Sequence, residues 1–137
     1  MKSSQFVRIS AFGMALTTMS WAFAAEPYLF EMLRQPKYLK AWNALFVGEV
    51  NVDYWLIKYS KTKNGPASPG VAVTLDGKMY QINAVCKPHD CGDNQFFVLF
   101  APEGTKAWGL LLRKDAERFF GNPDEEKKKA LRTSAYD

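Results

Sequence analysis

The 137-residue sequence contains only two cysteines and one histidine, and no stretch reaches the roughly 18 uninterrupted apolar residues that a membrane-spanning helix needs. Membrane insertion is therefore not expected, and any imidazole chemistry is confined to His89. There is no glycine-rich phosphate loop, no internal repeat and no G-x-S-x-G elbow, so nucleotide binding and serine-type hydrolysis both lack their usual signatures. Excess charge is small as well. The formal net charge is +4, whereas nucleic-acid binding normally needs a basic face that neutralises several phosphates. The one basic run, Lys127 to Lys129, follows Asp124, Glu125 and Glu126 on a stretch that reads as helix. That spacing predicts i,i+4 pairs of Asp124 with Lys128 and of Glu125 with Lys129, a self-paired solvated face. No nucleic-acid partner is expected.

The chain has ample material for one core: 47% of its residues are hydrophobic and 15% aromatic, against 23% charged, which excludes compositional disorder. Its length suits a single domain. At the N-terminus, Lys2 and Arg8 precede a moderately apolar run from Ile9 to Ala24 that ends in Ala22-Phe23-Ala24. This reads as a secretory signal, cleaved after Ala24 to leave a single domain over 25–137. A membrane anchor or a first core helix is the alternative, but Thr17, Thr18 and Ser20 interrupt the run. Loss of Lys2 and Arg8 leaves 16 basic and 14 acidic residues, a formal +2.

Apolar residues recur at three- and four-residue intervals from Pro27 to Phe46, which is helical spacing. Pro36 disfavours helix at Gln35, so two short helices with a bend are predicted, the second stopped by Gly48. Val52 to Tyr59 fits neither the helical nor the strand period. The turn-rich Asn64 to Gly70 reads as a loop. Strands are predicted over Val71–Leu75 and Lys78–Val85, joined by an Asp76-Gly77 hairpin turn, and then over Gln95–Phe100, Lys106–Leu112 and Arg118–Phe120. In the second strand Tyr80, Ile82 and Ala84 share a buried face, with Gln81 and Asn83 on a partly wet one. A final helix opens at Asn122-Pro123-Asp124-Glu125, with Asn122 as cap and Glu125 completing a capping box. Helices, then a meander, then a helix make an α+β fold.

In an exported chain two cysteines imply a disulfide. A bridge between Cys86 and Cys91 closes a six-residue ring around Lys87, Pro88, His89 and Asp90. Such a ring stabilises a fold by only about 2 kcal/mol, so stapling the whole domain explains its position poorly. What it does well is hold a tip rigid, and Pro88 fixes one more torsion beside His89. A loop ordered in advance loses less entropy on binding, which favours recognition over a stapled hairpin with no partner. The rival readings are weaker. Four metal ligands from Cys86, His89, Asp90 and Cys91 can hardly surround one ion from within six residues. Redox catalysis normally uses C-x-x-C, and Asp90 with Asp93 as a catalytic pair are ordinary loop acids.

The run Cys86-Lys87-Pro88-His89-Asp90-Cys91, followed by Gly92, resembles the signature loop of the Ivy family, inhibitors of vertebrate lysozyme. The likeness extends through Val73 to Val85, the following strand, and Ala107 to Leu110. It implies a central antiparallel sheet of about five strands with N-terminal and C-terminal helices packed against it. It also implies a periplasmic location, a C-type lysozyme as partner, and no catalytic residue, cofactor or metal. On that resemblance Cys86 and Cys91 are bridged, His89 enters the lysozyme cleft to reach its two catalytic carboxylates, and Lys87, Pro88 and Asp90 complete the protruding key. A retaining glycosidase holds those carboxylates about 5 Å apart. An imidazole placed between them donates to the ionised one and excludes the sugar. C-type lysozymes are generally strongly basic, so net charge does not steer a +2 chain to them. The resemblance also allows a homodimer. A different class of function, an exported glycan-binding module, would use Trp42, Trp55 or Trp108 as a stacking platform, although core packing is the commoner role for each.

Overall fold

The computed structural model describes residues 26–137, so the signal segment read over 1–24 lies outside the described residues. Three helices come first: α1 (Leu29–Met32), α2 (Pro36–Ala44) and α3 (Tyr54–Thr62). A five-stranded antiparallel meander follows: β1 (Ala67–Leu75), β2 (Lys78–Cys86), β3 (Asn94–Phe100), β4 (Ala107–Arg113) and β5 (Ala116–Phe120), in the spatial order β1-β2-β3-β4-β5. A short 3₁₀ turn, Pro102–Gly104, joins β3 to β4, and α4 (Glu125–Tyr136) ends the chain. This is the α+β arrangement expected, with β3 at the centre of the sheet.

The predicted break at Gln35 is present, with Pro36 opening α2 at a position where its missing amide hydrogen costs nothing. The second helix ends at Ala44, earlier than predicted, and irregular turns carry the chain to Gly48. The ambiguous Val52–Tyr59 stretch is largely α3. Leu56 and Tyr59 are fully buried while Tyr54 and Ile57 are exposed, so an apolar outer face hides the helical period. The expected loop over Asn64 to Gly70 is shorter in the structure. β1 begins at Ala67 and contains an irregularity between Ser68 and Val71, which accommodates Pro69 and Gly70 within an edge strand.

Both faces of the sheet are covered. One carries α1 to α3 over an aromatic cluster in which Trp42, Phe46, Phe96 and Phe120 meet edge-on or tilted, with ring centroids 5.3–6.0 Å apart. The other carries α4, whose fully buried Leu131 sits over Ile82, Leu99, Trp108 and Leu110. The expectation that Gln81 and Asn83 line a partly wet face is therefore corrected: Asn83 is fully buried on the α1–α3 side. Its Nδ2 donates to the Pro27 carbonyl at 2.8 Å and its Oδ1 accepts from Gln81, which satisfies the buried amide and ties the N-terminal segment to β2. The three tryptophans considered as stacking platforms pack instead, with Trp42 at 0% exposure, Trp108 at 8% and Trp55 against the α1–α3 core.

The start of α4 is also corrected. Asp124, not Asn122, is the cap, and its carboxylate accepts from the Lys127 amide. Asn122 has φ +57° and turns the chain before the helix begins. The charge pairs follow i,i+3 spacing, Asp124 with Lys127 at 2.6 Å and Glu125 with Lys128 at 2.8 Å, because the cap geometry aims Asp124 at the first turn.

Candidate functional site

The ladder between β2 and β3 ends at the pair Cys86 and Gln95, and beyond it the chain forms a short protruding loop. The two cysteines are bridged, with Cα atoms 4.9 Å apart. Both sulfurs are thus consumed by each other, which leaves no thiolate for a metal or for exchange chemistry. Of the four residues inside the ring, His89 alone is exposed, while Lys87, Pro88 and Asp90 are half-buried.

The loop is built from two consecutive turns. The Asp90 amide donates to the Lys87 carbonyl at 3.0 Å, and the Asn94 amide donates to the Asp90 carbonyl at 3.1 Å. In the first turn Pro88 occupies the second position, where its ring holds φ near −65°. His89 occupies the third with φ +65°. A positive φ after proline is the type II arrangement, which normally takes glycine or asparagine at that place. Histidine there stores about 1 kcal/mol of backbone strain. The surrounding contacts hold it: the Lys87 amide extends the ladder to the Asn94 carbonyl at 3.0 Å, and the Asn94 side-chain amide donates to Asp90 Oδ2 at 2.7 Å. Lys87 Nζ stands 4.0 Å from the same carboxylate oxygen, an exposed pair of little energetic weight.

A second brace comes from outside the loop. The Cys86 amide donates to the Pro66 carbonyl at 3.0 Å. Gly65, at φ +143°, lies so close that a Cβ there would stand 2.7 Å from the Cys86 carbonyl oxygen. The segment joining α3 to β1 is therefore packed backbone to backbone against the base of the loop.

The four ring residues picked from the sequence are together, but they differ in kind. His89 is presented outward, Pro88 and the bridge fix the turn, and Asp90 has its carboxylate engaged by Asn94. Asp93 is exposed and makes no ion pair among the described residues. The sequence reading missed Asn94, Gly65 and Pro66. Asn94 carries a local signal, since an Asp and an Asn four apart across a turn can bond, whereas the contact of Gly65 with Cys86 spans the whole first hairpin and has none.

A family model described as "Inhibitor of vertebrate lysozyme (Ivy)" matches residues 37–134, which include the whole loop. A Pseudomonas aeruginosa protein named Inhibitor of vertebrate lysozyme is 38% identical over 112 residues, 80% of this chain and 69% of that protein. An uncharacterized Yersinia pestis protein is 32% identical over 103 residues, 74% of this chain and 64% of that protein. An Escherichia coli K12 protein named Inhibitor of vertebrate lysozyme is 36% identical over 53 residues, 39% of this chain and 34% of that protein. The chain thus spans about two thirds of the length of the first two relatives and a third of the last.

Proposed function

The chain belongs to the Ivy family, the inhibitors of vertebrate lysozyme, and from that premise we propose that it is a proteinaceous inhibitor of C-type lysozyme that inserts the Cys86–Cys91 loop into the active-site cleft. The observation that carries the reading is the strained, outward-facing His89 on a turn braced from three sides. Strain of this sort persists only where the surroundings over-determine it, and such positions gather at sites that must be ready before a partner arrives.

The role needs no chemistry from the inhibitor. A retaining glycosidase works with one protonated and one ionised carboxyl group about 5 Å apart. An imidazole between them donates to the ionised oxygen, and as imidazolium it makes a stronger, charge-assisted bond. Sugar is excluded because the space is filled. Export to the periplasm, with 1–24 removed and 25–137 left as one inhibitor domain, places the protein where lysozyme reaches the cell wall, and a homodimer of the same domain is compatible with the role.

The test is lysozyme-driven clearing of a cell-wall suspension with and without the protein. The wild-type chain should slow clearing, and His89→Ala should weaken inhibition by about 2 kcal/mol or more, roughly thirty-fold, at unchanged thermal midpoint. Equal inhibition by the two proteins removes His89 from the mechanism.

A further inference from the structure

A six-residue ring covers far less than the roughly 800 Å² per partner of a standard interface. An inhibitor using this loop therefore needs flanking surface, and the two flanks differ. On the α1–α3 side the approach is filled by the Gly65–Pro66 segment, which leads off the end of α3. There Lys58 and Lys61 are exposed and Lys63 is half-buried, with no acidic partner for any of them among the described residues.

The α4 side is open. That helix begins beside Tyr80 and Trp108, where Lys127 reaches their rings, and ends beside β5, where Arg132 and Tyr136 reach Glu117. It therefore crosses the sheet obliquely and leaves the loop-proximal corner of β1 to β3 uncovered. A hollow of about 250 Å³ lies in that corner, against Pro66, Ser68 and the disulfide; a second, of about 270 Å³, lies beside it where the end of β4 meets the end of α4, between Asp93 and Tyr136, and Gln95 lines both. They form one shelf at the foot of the loop. Its charge is balanced: Asp93 and Lys114 are both exposed, and Arg113 is neutralised by Asp53 at 2.9 Å.

We infer that this shelf, formed by Ser68, Gln95, Asp93 and Tyr136 beside the loop, is the second contact surface for the lysozyme whose cleft the loop enters. The inference rests on the inhibitor reading above. A basic partner meets an unpaired run of lysines on the α3 flank and a surface of balanced charge, Asp93 against Lys114, on the shelf, so it leans over the α4 side once the loop is seated. The shelf is contiguous with the loop and supplies the area that the ring lacks.

The experiment compares the same chemical change on the two flanks. Ser68→Arg combined with Gln95→Arg should weaken inhibition of a C-type lysozyme at least tenfold, while Thr62→Arg at the end of α3 should change it less than threefold. Thermal midpoints are measured for each. Ser68→Arg alone, at an exposed position, serves if the half-buried Gln95→Arg site disturbs folding. Inhibition unchanged by the shelf variants but lost in His89→Ala overturns the shelf and leaves the loop reading intact. Inhibition unchanged in His89→Ala overturns the reading on which the shelf rests. A greater loss from Thr62→Arg than from the shelf variants places the partner on the opposite flank and overturns the inference.

Discussion

Strand β2 begins and ends in a tight turn, and the two turns are made on opposite plans. At its start Asp76 and Gly77 take φ +48° and +70°, with the ladder closing at once between Leu75 and Lys78. Both residues tolerate that geometry, and among the described residues no disulfide and no side-chain hydrogen bond from Asp76 supports it. At its end His89 takes φ +65° after Pro88, at a position that usually holds glycine or asparagine, and the turn is held by a disulfide, by Asn94 and by the Pro66 carbonyl. The first turn is the cheapest way to reverse the chain. The second carries a covalent bridge and two further supports that the first does without.

The largest expected effect is that of His89→Gly. Glycine relieves the positive φ, so stability should rise by about 0.5–1 kcal/mol while inhibition falls by at least the roughly thirty-fold expected of His89→Ala. A thermal scan alongside the clearing assay separates the two effects, and a fall in both would mean that the histidine is structural. Replacing both cysteines, Cys86→Ser with Cys91→Ser, should lower stability by about 2 kcal/mol and raise the dissociation rate, measured by surface-immobilised lysozyme. Identical dissociation of the two forms would leave the bridge no part in preorganisation. At the other turn, Gly77→Ala should cost about 1 kcal/mol, read from the denaturant midpoint, and leave inhibition untouched.

A further test concerns the α1–α3 core, where Tyr59 is buried, and bears on neither turn. Burial pushes the Tyr59 hydroxyl up to about 12. The unfolded phenol ionises near 10, so from about pH 10 to 12 the unfolded chain binds fewer protons than the folded one, and stability falls as pH rises. Tyr59→Phe should flatten that slope in alkaline melts. Because the hydroxyl is buried without a hydrogen-bond partner among the described residues, the substitution should also leave neutral-pH stability equal or slightly higher.

Elements with strong local chemistry were legible in the sequence. Pro36 broke the first helical stretch, Asp76-Gly77 made its hairpin turn, and four of the five strands lie within two residues of their predicted ends, whereas β1 starts at Ala67 inside the expected loop. Elements decided by what packs on them were not. Val52 to Tyr59 is helical with Tyr54 and Ile57 exposed, so its apolar pattern carries no single face. Asn83 looked wet because it is polar, yet α1 and the Pro27 carbonyl enclose it. Asn122 and Asp124 are equally good caps by composition, and the left-handed turn at Asn122 decides between them. The loop was legible as six letters, and its bridge is present. The strain at His89 and the brace from Gly65 were not, since the first is a backbone angle and the second depends on the α3–β1 connection arriving at the loop's base.

The loop's seat on β2 and the central strand β3 has a mechanical consequence. Ladder hydrogen bonds run perpendicular to the strands. A partner tugging the tip along the strand axis therefore drags β2 and β3 against β1 and β4 in shear, loading every rung of both outer ladders together instead of peeling them one by one.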